Sequence, residues 1–204
     1  FRYLESSYLG EAKLNYMPSD KLRDMSRWGY SLTHSGSIDT GLRSVGNVGV
    51  SLSMNRVSDD DYWRDFTRVS PGLTQRLLPN DLILSWSSGN FASSLRVLKW
   101  QTLQDANAPF TPPYDRLPQL AMRYARLNLN GFDLTVDADA TQFESDRVLA
   151  NQPNARRVFS QLEIARPWVT PSGFITPKLR LHATNYQFDS PLVNGKTSAT
   201  RALP

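Results

Sequence analysis

The stretch at residues 131–143, GFDLTVDADATQF, places Phe132, Leu134, Val136, Ala138 and Ala140 at alternate positions, with Asp133, Thr135, Asp137, Asp139 and Thr141 between them. A period of two sets the two groups on opposite faces of a β-strand, where a helix would mix them. The alternation recurs outward in both directions. In residues 8–17, Tyr8, Ala12, Leu14 and Tyr16 oppose Glu11, Lys13 and Asn15, and in residues 48–55, Val48, Val50, Leu52 and Met54 oppose Gly49, Ser51, Ser53 and Asn55. Nearer the C-terminus, Ile175, Leu179, Leu181 and Ala183 oppose Thr176, Lys178, Arg180, His182, Thr184 and Tyr186. Pro177 interrupts that run and belongs near the strand's start, because it has no N–H for the interior of a ladder. Residues 1–4, 27–35, 82–88, 91–103, 119–129 and 156–166 repeat the pattern less regularly and bring the predicted strands to ten.

The connections sort into two classes. Short ones fall at residues 6–7, 35–40, 89–90, 130–131 and 167–173; long ones fall at 18–26, 56–81, 105–118, 144–155 and from Asp189 onward. Two-faced strands of about ten residues, joined by tight turns at one end and long loops at the other, describe an outer-membrane β-barrel. The predicted fold class is therefore all-β: antiparallel up-and-down strands forming an arc of a large outer-membrane barrel. Asn130-Gly131 is the sharpest turn signal. As a two-residue loop it sets Arg126 opposite Thr135 and diagonal to Asp133 and Asp137, which predicts a cross-strand ion pair and turns Arg123 outward.

Composition narrows the alternatives. The 204 residues are 40% hydrophobic, and no apolar run approaches the roughly 18 to 20 residues of a spanning helix, so a helical membrane protein is excluded. A negative mean hydropathy fits a wall that gives lipid only every second residue. The chain has no cysteine, hence neither disulfides nor thiol metal sites, and its net charge of +4 is spread without a basic run, so no nucleic-acid partner is expected. His34, ahead of Ser35-Gly36 at a predicted tight turn, and His182 accompany no nucleophile elbow or HExxH, so neither catalytic residues nor a cofactor is expected. Asp59-Asp60-Asp61 lacks the glycine and distal glutamate of a calcium loop and reads as solvated acidic loop, as do Glu144, Asp146 and Asn151. The chain opens inside a strand, without a Met start or apolar leader, and closes on Ala202-Leu203-Pro204 in a predicted loop. One domain over residues 1–204, cut at both ends and bounded by two raw sheet edges, is the expectation.

A charge on the lipid face costs about 2–4 kcal/mol at the midplane. The polar alternates Glu11, Lys13, Arg126, Asp133, Asp137, Asp139, Lys178, Arg180 and His182 are accordingly expected to face the lumen, and Tyr16, Trp28, Trp86, Trp100, Trp168 and Tyr186, with Tyr124, to form aromatic girdles at the interfaces.

Several segments, in order along the chain, resemble a known family: Phe1-Arg2-Tyr3-Leu4, Gly10-Glu11-Ala12, Tyr16-Met17-Pro18-Ser19-Asp20-Lys21, Trp28 with His34-Ser35-Gly36, residues 57–66 (VSDDDYWRDF), residues 113–120 (PYDRLPQL) and Ala183-Thr184-Asn185-Tyr186. Together they resemble the barrel of the LPS-assembly proteins, LptD, also called organic solvent tolerance proteins. The resemblance implies a gram-negative outer-membrane translocon that inserts lipopolysaccharide into the outer leaflet. Its partners would be lipopolysaccharide, outer-membrane lipid, an LptE-like lipoprotein plug and, through an N-terminal jellyroll absent here, a periplasmic bridge protein. The family's disulfide cysteines are missing from this chain. Another outer-membrane barrel, such as a porin or receptor, and a soluble β protein holding an apolar ligand are the alternatives left by the residues themselves.

Overall fold

Each alternating segment pairs with the next one along the chain. The computed structural model describes residues 1–43, 45–66, 73, 75–150 and 152–203. Its elements are β1 (Arg2–Leu4), β2 (Tyr8–Asp20), β3 (Met25–Asp39), β4 (Asn47–Val57), the one-turn helix α1 (Tyr62–Asp65), β5 (Leu77–Ser88), β6 (Phe91–Thr102), β7 (Asp115–Leu129), β8 (Phe132–Glu144), β9 (Ala155–Ala165), β10 (Trp168–Thr170), β11 (Gly173–Ile175), β12 (Lys178–Phe188) and β13 (Ser198–Leu203). Eleven strands form one sheet in the order β1 to β9, β12, β13, every neighbour antiparallel, while β10 and β11 form a separate small hairpin. This is the predicted up-and-down arc.

Directly opposed residues share a face, so the register carries each face across the sheet. One row runs Val50, Leu84, Leu95, Leu120, Ala140, Val158; the adjacent row on the other face runs Ser51, Ile83, Arg96, Gln119, Thr141, Arg157. The apolar row has no covering layer among the described residues: Leu14, Leu95, Leu120, Val158 and Leu179 are all exposed. A soluble sandwich would bury that face against a second sheet. The buried core is instead a small cluster at the loop end, Val57, Tyr62, Leu73, Leu78 and Leu103, with Trp63 and Phe66 packed on it.

The structure corrects several boundaries. The long connection expected at residues 18–26 is a tight turn at 21–24, because β2 runs on to Asp20 and β3 begins at Met25. On the supposedly tight side, β3 continues to Asp39, leaving residues 40–46 as the turn, and residues 166–177 hold the β10–β11 hairpin, so Ile175 belongs to β11 rather than β12. The strict alternation of short and long connections therefore fails: 58–76, 103–114 and 145–154 stand at one end of the sheet, but the equally long 166–177 stands at the other. Residues from Asp189 onward are not all loop: 198–203 pair with β12, so Ala202 and Leu203 lie in a strand, and Pro204 is outside the described residues. Much of the expected 56–81 loop is β5 from Leu77, and residues 67–72 and 74 within it are outside the described residues, as is Asn151. His34 sits within β3 rather than at a turn, facing Leu52 and Gly10, with its Nδ1 2.9 Å from Tyr3 Oη.

The expected register around Asn130-Gly131 is also corrected. The turn forms as predicted, both residues at positive φ and Leu129 facing Phe132. Between Leu129 and Arg126, however, two residues of β7 face one of β8, and Arg126 falls opposite Leu134 instead of Thr135. The bulge is stabilised locally: Asn128 takes a left-handed φ of 55°, and its N–H donates to Asp133 Oδ1 at 2.9 Å. One extra residue flips every side chain beyond it. Arg126 thus stands on the apolar face, away from the aspartates, and Arg123 takes the place opposite Asp137.

Leu120→Arg, centred on the apolar face, is expected to destabilise the intact protein in a bilayer by about 2–4 kcal/mol. Ala121→Arg, one residue away beside Asp139, should cost far less. Denaturant titration in lipid measures both, and equal costs would mean the apolar face does not meet lipid.

Candidate functional site

Alternation along β2, β6, β7, β8, β9 and β12 concentrates the strand charges on one face, where strand pairing matches them by sign. Glu11 takes Arg2 at 2.7 Å and Lys13 at 3.1 Å. Asp81 receives a two-pronged Arg96 at 2.8 and 2.7 Å. Asp139 accepts from Gln119 at 2.6 Å, Thr141 at 2.7 Å and Arg157 at 2.5 Å. Arg123 stands 3.7 Å from Asp137, and Glu163 holds Lys178 at 3.3 Å together with Arg180. His182 faces Gln161, bonds Thr184 at 2.7 Å and leans on the Phe159 ring. Water screens such pairs, so they add little stability; their consequence is a wall of charged groups held close to the backbone. Between the pairs, Gly49, Ser85, Ser94 and Ala121 leave a hollow of 610 Å³ edged by Arg123 and Asp137.

Of the residues predicted for this face, Glu11, Lys13, Asp133, Asp137, Asp139, Lys178, Arg180 and His182 share it, and Arg126 does not. Among the aromatics, Tyr16 opposes Trp28 and Tyr124 opposes Val136 on the apolar face, which Trp86 shares; Trp168 is in β10 and Trp100 opposes Pro79. Tyr186 and Trp100 depart from the girdle expectation: Tyr186 opposes Arg157, and Trp100 shares the face of Arg96 and Asp81, so both stand on the charged face.

The largest departure from the sequence reading is Arg27, at the loop end of β3. Its side chain is 1% exposed. Nε and Nη2 grip both oxygens of Asp59 at 2.9 and 2.7 Å, and Nη1 reaches Asp65 at 2.9 Å and Asp20 at 3.1 Å. The guanidinium lies 4.6 Å from the Phe66 ring centroid and 5.7 Å from that of Tyr62. Room for this arrangement comes from Gly29, where a Cβ would sit 2.8 Å from Tyr62 Oη. Two of the three aspartates read as solvated are therefore engaged: Asp59 binds Arg27, and Asp61 binds Arg23 and Arg64. Partial burial pushes the Asp65 carboxyl up, but hydrogen bonds from Arg27 and Arg23 outweigh it and hold the group below the ordinary aspartate range; burial pushes the Tyr62 hydroxyl up.

The remaining loops are tied pairwise. Arg76 stacks over Phe110 and Trp63 and donates to the Leu103 and Ala108 carbonyls; Tyr114 donates to the Pro153 carbonyl at 2.9 Å; Arg147 pairs with Asp189, which also accepts from the Asn154 N–H at 3.0 Å. Each loop is thus fastened to the next around the rim.

Comparison with known proteins places this geometry. The family model LptD, described as LPS transport system D, matches residues 25–204. A protein of Albidiferax ferrireducens named LPS-assembly protein LptD is 60% identical over 207 residues, covering 100% of this chain and 26% of that protein. Proteins of the same name from Polaromonas sp. and Ralstonia nicotianae are 54% and 35% identical, again over 100% of this chain and 26% and 24% of theirs. The chain accordingly spans 26% or less of these curated relatives' length.

Arg27→Met is expected to release residues 59–66, raising proteolytic cleavage there at least about tenfold in the folded intact protein, because three carboxylates lose their shared cation. Acid should act on the same contact. Since the Asp65 pKa is depressed on folding, its contribution is complete above the unfolded value of about 3.9 and is lost as pH falls through the lower folded value. Hydrogen exchange of residues 59–66, corrected for intrinsic rate, should stay flat from pH 7 to about 5 and accelerate only below about 3.9; acceleration near pH 6 would exclude Asp65 as the titrating group.

Proposed function

We propose, because this chain belongs to the LptD, LPS transport system D, family, that it builds part of the wall of an outer-membrane conduit delivering lipopolysaccharide to the outer leaflet. The observation that carries the reading is the family match over residues 25–204 laid on a sheet with one charged and one uncovered apolar face. In this reading the charged face lines the lumen, with Glu11, Lys13, Asp133, Asp137, Asp139, Lys178, Arg180 and His182 along it. Phosphates and sugars pass a wall of that kind without losing hydrogen-bond partners. The apolar face meets lipid, with Tyr16, Trp28, Trp86 and Trp168 near its margins. The long loops at residues 58–76, 103–114 and 145–154 stand at the cell exterior, and the tight turns, Asn130-Gly131 among them, in the periplasm.

Paired charges suit a conduit better than free ones. A phosphorylated lipid moving past Arg96 or Arg157 meets a cation already neutralised by Asp81 or Asp139, so it is wetted without being trapped. A lipoprotein plug in the lumen and a periplasmic bridge protein reaching the barrel through an N-terminal domain are the partners this reading adds.

Depleting the intact protein from a gram-negative cell should cut newly made lipopolysaccharide at the surface and leave it accumulating on the periplasmic side. Surface lipopolysaccharide that persists unchanged, with loss of small-solute permeability instead, would assign a porin-type role.

A further inference from the structure

We propose that the loop end of the apolar face holds a binding cleft for the phosphorylated sugar headgroup of an outer-leaflet lipid, with Arg56 and Lys99 as its phosphate ligands. The inference rests on the outward orientation of the loops taken under Proposed function, and it starts from an asymmetry between the two faces. On the charged face, Arg2, Lys13, Arg27, Arg96, Arg123, Arg157, Lys178 and Arg180 each have an acidic partner, with Arg116 and Arg201 as exceptions. On the apolar face, Arg56, Lys99, Arg126 and Arg156 have none among the described residues. Three of those four lie at the loop end of their strands: Arg56 is the penultimate residue of β4, Lys99 is three residues from the end of β6, and Arg156 is second in β9. A lipid-facing cation is tolerable only near an interface. Among the described residues none of these cations has a carboxylate in ion-pair contact, which leaves them open to an anion from outside the chain.

Arg56 and Lys99 line the same 670 Å³ cleft, together with Tyr30, Asn80, Asp60 and Asp146. β5 brings them together. Arg56 stands opposite Tyr30, Lys99 stands opposite Asn80, and the Asn80 side chain accepts the Asn55 N–H at 3.1 Å, fastening β5 to β4 beside the cleft. An arginine fork and a lysine point charge together match a phosphate. The two carboxylates and the Asn80 amide add hydrogen-bonding groups for hydroxyls, which bare phosphate does not carry. Toward the sheet centre the same face continues as Leu52, Leu82 and Val97, cross-strand partners in one row, a surface for acyl chains. Cations at the rim and apolar rows beneath fit a phosphorylated glycolipid seated on the outside of the wall rather than one in transit through the lumen.

The test uses the intact protein in detergent, with binding of bisphosphorylated lipid A and of its dephosphorylated form read by native mass spectrometry. The wild type should bind the bisphosphorylated form, and R56Q/K99Q should bind it at least about tenfold more weakly. The dephosphorylated form should bind both proteins alike. R56K/K99R should retain binding, and heat-modifiable gel mobility reports folding; should the double variant not fold, Arg56→Gln and Lys99→Gln are read singly. Unchanged binding in the folded glutamine variants, or no dependence on the lipid phosphates, overturns the proposal. Displacement of lipid A by equimolar inorganic phosphate overturns the assignment to a lipid. Val193→Cys in the 189–197 loop, labelled on intact cells by an impermeant maleimide, tests the orientation separately. Labelling upholds it, so a negative lipid result then rejects the cleft alone; absence of labelling rejects the orientation on which both readings depend.

Discussion

Every backbone N–H and C=O in a membrane wall must find its partner inside the sheet, because lipid offers none. That requirement organises this chain. It forces each strand against its sequence neighbour from β1 to β9 and on through β12 and β13, and it leaves side chains only two directions in which to differ. The charged and apolar faces are what remains once the backbone is paired: polar groups gather where water can reach them, and Leu95, Leu120 and Val158 stand uncovered on the other side. The ion pairs along the charged face decorate this constraint and do not create it.

How much of this is legible in the amino-acid order depends on the range of the interaction. Period-two faces are written in adjacent residues, so β8 and the central parts of β2, β4 and β12 can be read directly. The Asn130-Gly131 turn is equally local. The bulge beside it is not, since nothing in residues 126–129 announces that Asn128 will adopt a left-handed φ and borrow Asp133, and that single residue exchanges the places of Arg123 and Arg126. Polar strand ends are hidden for another reason. Asp20 and residues 198–203 lack a lipid face to mark them, yet they pair with their neighbours.

Arg27 is the least legible feature and the most consequential at the rim. Asp20 is seven residues away, Asp59 thirty-two and Asp65 thirty-eight, so no window of sequence contains the group. The available signal was compositional: an arginine two positions before Gly29 on the same strand face, and an acidic run paired with aromatics in YWRDF. Read with the strand order, which brings β3 beside β4, those two facts place one cation below one acidic loop.

The pairing of each wall strand with the wall strand before it, with only the small β10–β11 hairpin set aside, also bears on how the wall is made. Long-range contacts in such a sheet are long only by the length of a hairpin, so loop-closure entropy is met in small, repeated instalments rather than all at once. A hairpin can settle against an edge already formed and present a fresh edge to its successor. The loops fastened to one another through Arg27, Arg76, Tyr114 and Asp189 follow the same order, so the rim closes stepwise with the wall beneath it, and the growing edge stays open until the last strand arrives.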